Sequence, residues 1–268
     1  MTGTGTQEDP LIVDNWADFC MIDTNSAEIY VKWADSENKV IDFNEINPEG
    51  FSETVNFPAN VDFNGWTLKN FHSTANYAIK INWGNLIENL IFENFYITSQ
   101  TLFYGAFLLK NCIFSGVAQP SINVTLFHGC GLQNSSLNIR TNAETNVTVF
   151  SGGGFSSPKT QITSSDIILD ISCKGLKICE NSIKNSRISG KIQADTSSIT
   201  LGNTSNMSNV FNLEPNRPLK YSSSAISVFN SDLAEKTSDS NKNFIGVNSE
   251  QLKNAEYLYN IGFPIGVD

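Results

Sequence analysis

The chain has 268 residues, 40% of them hydrophobic and only 16% charged, with a formal net charge of −10. That is enough apolar material for a core, which excludes global disorder, at a length near the ceiling for one core. In place of charge stand 33 Asn, 30 Ser and 19 Thr, which favour turns and weaken helix interiors and so exclude a helical bundle. Only three arginines occur, Arg140, Arg187 and Arg217. Phosphate needs cationic neutralisation, so neither nucleic acid nor a membrane surface is an expected partner. No apolar run has the length of a membrane span.

The opening ten residues carry no basic n-region and no apolar h-region, so the expectation is synthesis in a cytoplasm without a signal peptide. Asp14 or Asn15 is placed to N-cap a short helix from Trp16 to about Met21, with Trp16, Phe19 and Cys20 on one face. The alternating stretches 29–33 and 39–43 read as strands.

The middle of the chain hides a period. Thr101-Leu102-Phe103-Tyr104-Gly105, Thr125-Leu126-Phe127-His128-Gly129 and Thr148-Val149-Phe150-Ser151-Gly152 read almost alike, and their phenylalanines lie 24 and 23 residues apart. After each apolar anchor comes an Asn and a new apolar run: Asn89 after Ile81, Asn111 after Phe103, Asn134 after Phe127 and Asn185 after Ile178. Phe150 is the exception, because residues 152–163 insert a loop. Such a period means stacked repeats, either leucine-rich repeats or a parallel β-helix. The anchors are Phe, Ile, Val and Leu in short alternating runs, as in Thr67-Leu68-Lys69-Asn70-Phe71. That is a strand pattern, so each repeat supplies two or three strands joined by tight turns. About six coils fit between Val55 and Leu213. Asn89, Asn111, Asn134 and Asn185 are expected to stack as a structural amide ladder. Phe103, Phe127 and Phe150 are expected to stack as one inward column.

The resulting fold class is all-β: a single-stranded, right-handed parallel β-helix with a short N-terminal capping helix. Three regions are expected, a cap with the first coils (1–54), the solenoid (55–213) and a C-terminal appendage (214–268). In the appendage, 225–229 reads as a further strand, 231–243 as a polar loop, and 250–260 as a helix capped by Ser249. Phe263, Ile265 and Val267 form an apolar tail, the expected partner contact.

Candidate chemistry is sparse. The five cysteines, Cys20, Cys112, Cys130, Cys173 and Cys179, are odd in number and form no C-x-x-C pair, so free thiols are expected. Two histidines and no ligand spacing argue against a metal site, and no cofactor is expected. Glycoside hydrolysis needs two carboxylates across a groove. Asp166 and Asp170 share a strand face at roughly 13 Å, too far for a retaining pair. Asp62 has Glu88 or Glu93 as a partner across coils, with nothing in the sequence to single them out. His72 and His128 are expected at turns or on the surface. Trp66, Trp83, Tyr77, Tyr96 and Tyr104 are expected in the core rather than on an exposed sugar-stacking strip. Gly152-Gly153-Gly154 lacks a following Lys and helix and reads as a loop.

The coil period, the Asn turns and the opening Gly3-Thr4-Gly5-Thr6-x-x-Asp9-Pro10, followed by Asn15-Trp16-Ala17-Asp18-Phe19, resemble right-handed β-helix virion proteins of tailed bacteriophages. The resemblance implies a non-enzymatic structural or host-attachment component of a virion: a head decoration, fibre, collar or tail protein made in the host cytoplasm. Its implied partners are other virion proteins and sister chains in a homotrimer, with a cell-surface glycan as a further candidate. Two alternatives stand beside it, a tail-spike polysaccharide depolymerase and a bacterial glycan-binding adhesin.

Overall fold

The computed structural model describes residues 1–81, 86–152 and 161–179 in full. Beyond them it describes the short strands Ile183–Ser189, Ile192–Gln193, Ile199–Thr200, Ser208–Asn212, Leu219–Lys220, Ser227–Val228 and Phe244–Gly246. The chain is all-β, and its strands stack in parallel as a solenoid of about six turns. Each coil is three-sided. The first face stacks Leu11–Val13, Tyr30–Trp33, Asn60–Asp62, Leu86–Glu88, Leu108–Lys110, Gly131–Gln133 and Ile162–Thr163. The second stacks Val40–Asp42, Thr67–Lys69, Ile91–Ile97, Ile113–Ala118, Ser136–Asn142 and Asp166–Ser172. The third stacks Val55–Phe57, Tyr77–Ile81, Thr101–Tyr104, Val124–His128, Asn146–Ser151 and Gly175–Cys179. Strands this short cannot bury an apolar face alone; stacking gives every coil a partner for its backbone and its side chains.

The first strand begins well before the repeat is legible. Leu11–Val13 pairs with Tyr30–Trp33, which pairs onward with Asn60–Asp62. Between them α1 (Trp16–Cys20) closes the end of the solenoid, where an open coil would expose a sheet edge. Asn15 is its N-cap, its side chain accepting the backbone N–H of Asp18 at 2.9 Å. Trp16 and Phe19 are buried against Trp33, Phe43 and Phe57. Cys20, expected on the same face, is exposed, and Ile22 is buried one turn further on. The stretch expected as a strand over 39–43 stops at Asp42. Its carboxylate accepts the N–H of Asn44 at 3.0 Å and N-caps α2 (Phe43–Ile46), which the alternation hid.

Two corners are turned by asparagines in the left-handed region. Asn89, Asn111 and Asn134 have φ of 57°, 52° and 48°. Asn tolerates this conformation because its short amide bonds locally. Asn111 donates its amide to the Oδ1 of Asn89 at 3.3 Å, and Asn89 donates to the Oδ1 of Asp62 at 2.8 Å. Ser164, with φ of 49°, takes the equivalent place one coil after Asn134. Asn185 follows Lys184, the register partner of Thr163; its side chain lies outside the described residues. A second ladder at the neighbouring corner escaped the sequence reading. Asn94 donates to Asn70 at 2.6 Å, and Asn70 donates to Asp42 at 2.7 Å. It stops there because Glu93 and Asn94 face the single residue Ser115 in the next coil.

Inside, Phe103, Phe127 and Phe150 lie in register on the third face and are buried. Ile79 precedes them in the column and Cys179 follows. A buried polar row runs beside this apolar column. Ser135 Oγ accepts the N–H of Cys112 at 2.9 Å, Ser165 Oγ that of Ser135 at 3.3 Å, and Ser186 Oγ that of Ser165 at 3.2 Å. Backbone donors freed at this corner are thus met without water.

Past Cys179 the stacking continues. Ser208–Asn212 pairs with Ile183–Ser189 and with Phe244–Gly246. The strand expected over 225–229 is Ser227–Val228, antiparallel to Leu219–Lys220. The expected loop over 231–243, the helix over 250–260 and the tail residues Phe263, Ile265 and Val267 lie outside the described residues, as do Trp83, Gly153 and Gly154.

Candidate functional site

The coil register brings acidic side chains together on the first face. Asp62 and Glu88 are register partners on adjacent coils, flanked by Lys32 on one side and Lys110 on the other. They line a groove of about 520 Å³ with Gln7, Pro10 and Tyr30. Glu93, the other candidate partner of Asp62, stands on the second face opposite Lys69.

Asp62 is held by hydrogen bonds, and Glu88 by an ion pair alone. Asp62 Oδ1 accepts the Asn64 N–H and the Asn89 amide, both at 2.8 Å. Its Oδ2 lies 3.8 Å from Lys32 Nζ. Glu88 Oε2 lies 3.7 Å from Lys110 Nζ. Along the axis the row runs Lys32, Asp62, Glu88, Lys110: two adjacent carboxylates with a lysine at either end. For Asp62 the Asn64 N–H comes from its own coil and the Asn89 amide and Lys32 ammonium from neighbouring coils. Asp42 is held in the same way by the Asn70 amide and by Lys69 Nζ at 3.0 Å. Those two bonds hold its carboxyl below the ordinary aspartate range. Asp166 and Asp170 lie along one strand, beside Ser136 and Arg140 respectively. Among the described residues no group of three or more His, Cys, Asp or Glu is placed to hold a metal ion.

The tyrosines depart from the core positions expected for them. Tyr77 and Tyr96 are each 37% exposed, and Tyr104 is half-buried. The pleat places them on outward positions, between buried neighbours such as Phe103 and Phe95. On the third face Tyr77 meets Tyr104 at 4.4 Å between ring centroids, and Tyr104 stacks on His128 at 4.9 Å with 6° between planes. His128 Nδ1 lies 2.6 Å from Ser151 Oγ. On the second face His72 packs edge-on to Tyr96, whose hydroxyl donates to Gln119 at 3.0 Å. Both histidines sit on outward positions of strands. Trp66 is buried, 4.8 Å from Trp33, and its indole N–H donates to the Ala34 carbonyl at 2.8 Å.

None of the five cysteines is in a disulfide. Burial pushes Cys112 up to about 12 and Cys173 up to about 11, and raises Cys130 further. Thiols so placed are apolar packing groups, since nucleophilic chemistry needs the thiolate.

Gly3-Thr4-Gly5-Thr6-x-x-Asp9-Pro10 is a folded loop on the first coil. Asp9 accepts the Thr4 N–H through Oδ2 at 2.9 Å, and Thr6 Oγ1 accepts the Asp9 N–H at 3.1 Å. Gly3 has φ of 92°, and a Cβ there would stand 2.0 Å from the Pro10 carbonyl oxygen. The Tyr30 N–H donates to the Gly5 carbonyl at 2.9 Å, tying the loop to the first face.

These features define the class: a parallel β-solenoid whose charged and amide side chains are laddered along its axis. Comparison with family models, curated proteins and solved structures finds no match.

Proposed function

We propose that the chain is a non-enzymatic structural or host-attachment component of a tailed-bacteriophage virion, as a head decoration, fibre, collar or tail protein. The observation that carries the reading is the commitment of Asp42, Asp62 and Glu88 to bonds between coils. Carboxylates placed to bind one coil to the next stiffen a rod, which supports a structural role. A solenoid whose described strands are paired coil to coil suits a particle that must persist outside cells. The opening Gly-Thr loop, with its resemblance to phage β-helix proteins, supports the particle context. In this reading the chain is made in the host cytoplasm, assembles with other virion proteins and forms a homotrimer.

The test is mass spectrometry of purified virions from the phage that encodes the chain, with reducing-end assay on host capsule. Presence in the particle without glycan cleavage is expected. Absence from the particle, or cleavage, overturns the role. Mass photometry of the purified chain reads the trimer directly.

A further inference from the structure

We propose that the open strand edge Val55–Phe57, at the N-terminal end of the solenoid, receives segment 263–267 of a second copy as an added strand. Copies are thereby joined head to tail. The contact goes beyond the particle role and does not depend on it.

Val55–Phe57 is the last strand of the third-face sheet and is paired on one side only, with Tyr77–Ile81. Residues of a parallel strand turn their N–H and C=O alternately to one neighbour and the other. Thr101, the register partner of Tyr77, donates its N–H to the Asn76 carbonyl. Asn76 and its alternates therefore bond to the next coil, and Tyr77, Ile79 and Ile81 face Val55–Phe57. By the same alternation Thr54 and Asn56 bond to Ile79 and Ile81, and the N–H and C=O of Val55 and Phe57 point off the end of the sheet. On the first face the corresponding edge is closed, because Thr2 and Ile12 exchange both backbone bonds, at 2.7 and 3.4 Å.

Along the open edge runs a groove of about 460 Å³, with Trp16, Cys20 and Ile22 of the cap on one side and Phe51 and Val55 on the other. The end around it is apolar. Among the described residues, Met1, Met21, Val40 and Ile46 make up half of the exposed large hydrophobic side chains, and all four belong to the cap and first coil. An open edge beside an apolar slot fits an extended segment: the edge supplies main-chain bonds and the slot takes alternate side chains.

The chain itself contains such a segment. Phe263, Ile265 and Val267 alternate with Pro264 and Gly266, and the five carry no charge. When the three apolar residues bond to the edge, Pro264 faces away, which is where an edge strand tolerates a missing N–H. The donor is a second copy because a chain's own edge is out of reach. Eight register steps separate Ile41 from Gly246. The added strand lies one step further, about 43 Å away along the axis. With the helix that the sequence pattern predicts over 250–260, the link from Gly246 to Phe263 spans at most about 38 Å. A contact of this kind is heterologous and does not close on itself. It sits at the end of the rod, apart from the lateral faces of the trimer.

Cys20 is exposed and lines the slot, so it reports on the occupant. The test mixes a Cys20→Ala, Ile265→Cys chain with the wild-type chain in oxidised glutathione, reads a non-reducing gel and maps the joined cysteines. A disulfide between position 265 of one copy and Cys20 of the other is expected. An Ile265→Cys chain that keeps Cys20 should give an open-ended ladder of linked copies. Val267→Asp, added on the donor, should slow linking by roughly tenfold or more. Ile122→Cys, an exposed apolar position outside the slot, should give no link to Cys20. Each of these results overturns the proposal: no link to Cys20, links only within one chain, a ladder that stops at two copies, no effect of Val267→Asp, or equal linking by Ile122→Cys. A chain found in virions that gives no link overturns this inference alone; linked copies of a chain absent from virions overturn the particle role alone.

Discussion

Phe127 lies directly over Phe103 in the next coil, ring centroids 5.8 Å apart and planes within 11°. Phe150 continues the stack at 4.8 Å and 18°. The middle ring has neighbours on both sides and edge contact with Phe114 at 5.8 Å. Its removal leaves a cavity that rigid coils above and below cannot close. Phe127→Ala should therefore lose about 3–5 kcal/mol in urea denaturation. A loss under about 1 kcal/mol would mean the column carries little of the stability.

Asn89 separates conformation from bonding. Its φ of 57° and its two ladder bonds are both lost in Asn89→Ala, whereas Asn89→Gly keeps the backbone free to adopt the turn. The alanine variant should be less stable than the glycine variant by about 1–2 kcal/mol, the cost of the left-handed conformation. Equal stabilities would show that the turn is not left-handed in solution.

Gly129 is required by a close approach. A Cβ at this position would meet the Gly105 carbonyl oxygen at 2.6 Å, with φ of +76°. Gly65 has the same φ and nothing within 4 Å of its Cβ. Gly129→Ala should cost more than Gly65→Ala, each carrying about 1–3 kcal/mol of backbone strain and only the former a backbone clash. Thermal melts of the two variants side by side decide it.

Asp42 predicts a pH dependence. Its carboxyl is held low by the Asn70 amide and by Lys69. A folded-state value below the unfolded one means the stabilisation is fully present above about pH 4, the unfolded aspartate range, and is lost as pH falls through the lower folded value. The denaturation midpoint of wild type should exceed that of Asp42→Asn at pH 7, and the gap should shrink through the acid range. A gap that widens on acidification contradicts the assignment.

The thiols predict a labelling pattern. Cys20 is exposed, and Cys112, Cys130, Cys173 and Cys179 are buried. A disulfide-exchange reagent near pH 8 should modify one cysteine quickly in the native chain and five after denaturation. Reductant should leave the melting temperature unchanged. A marked drop on reduction would reveal a disulfide.

The amino-acid sequence alone determines the solenoid. A period of 22 to 24 residues with alternating apolar strands leaves few ways to bury the apolar positions except by stacking coils. The aligned phenylalanines and the turn positions of Asn89, Asn111 and Asn134 are legible for the same reason, but of the expected amide ladder only Asn111 bonds to its equivalent, Asn89. What only the tertiary structure decided are the contacts between unlike residues. The Asp42–Asn70–Asn94 ladder joins residues 28 and 24 apart and goes no further, because a bulge shifts the register to the next coil. The helix at Phe43 depends on one carboxylate turning to cap it. Tyr77 and Tyr104 read as core residues because apolarity does not say to which side of a pleat a ring points; register across coils does. The third face, whose six strands contain no Asp or Glu, is likewise invisible along the chain. Its six strands are spread from residue 55 to residue 179, and folding alone collects their outward side chains onto one surface.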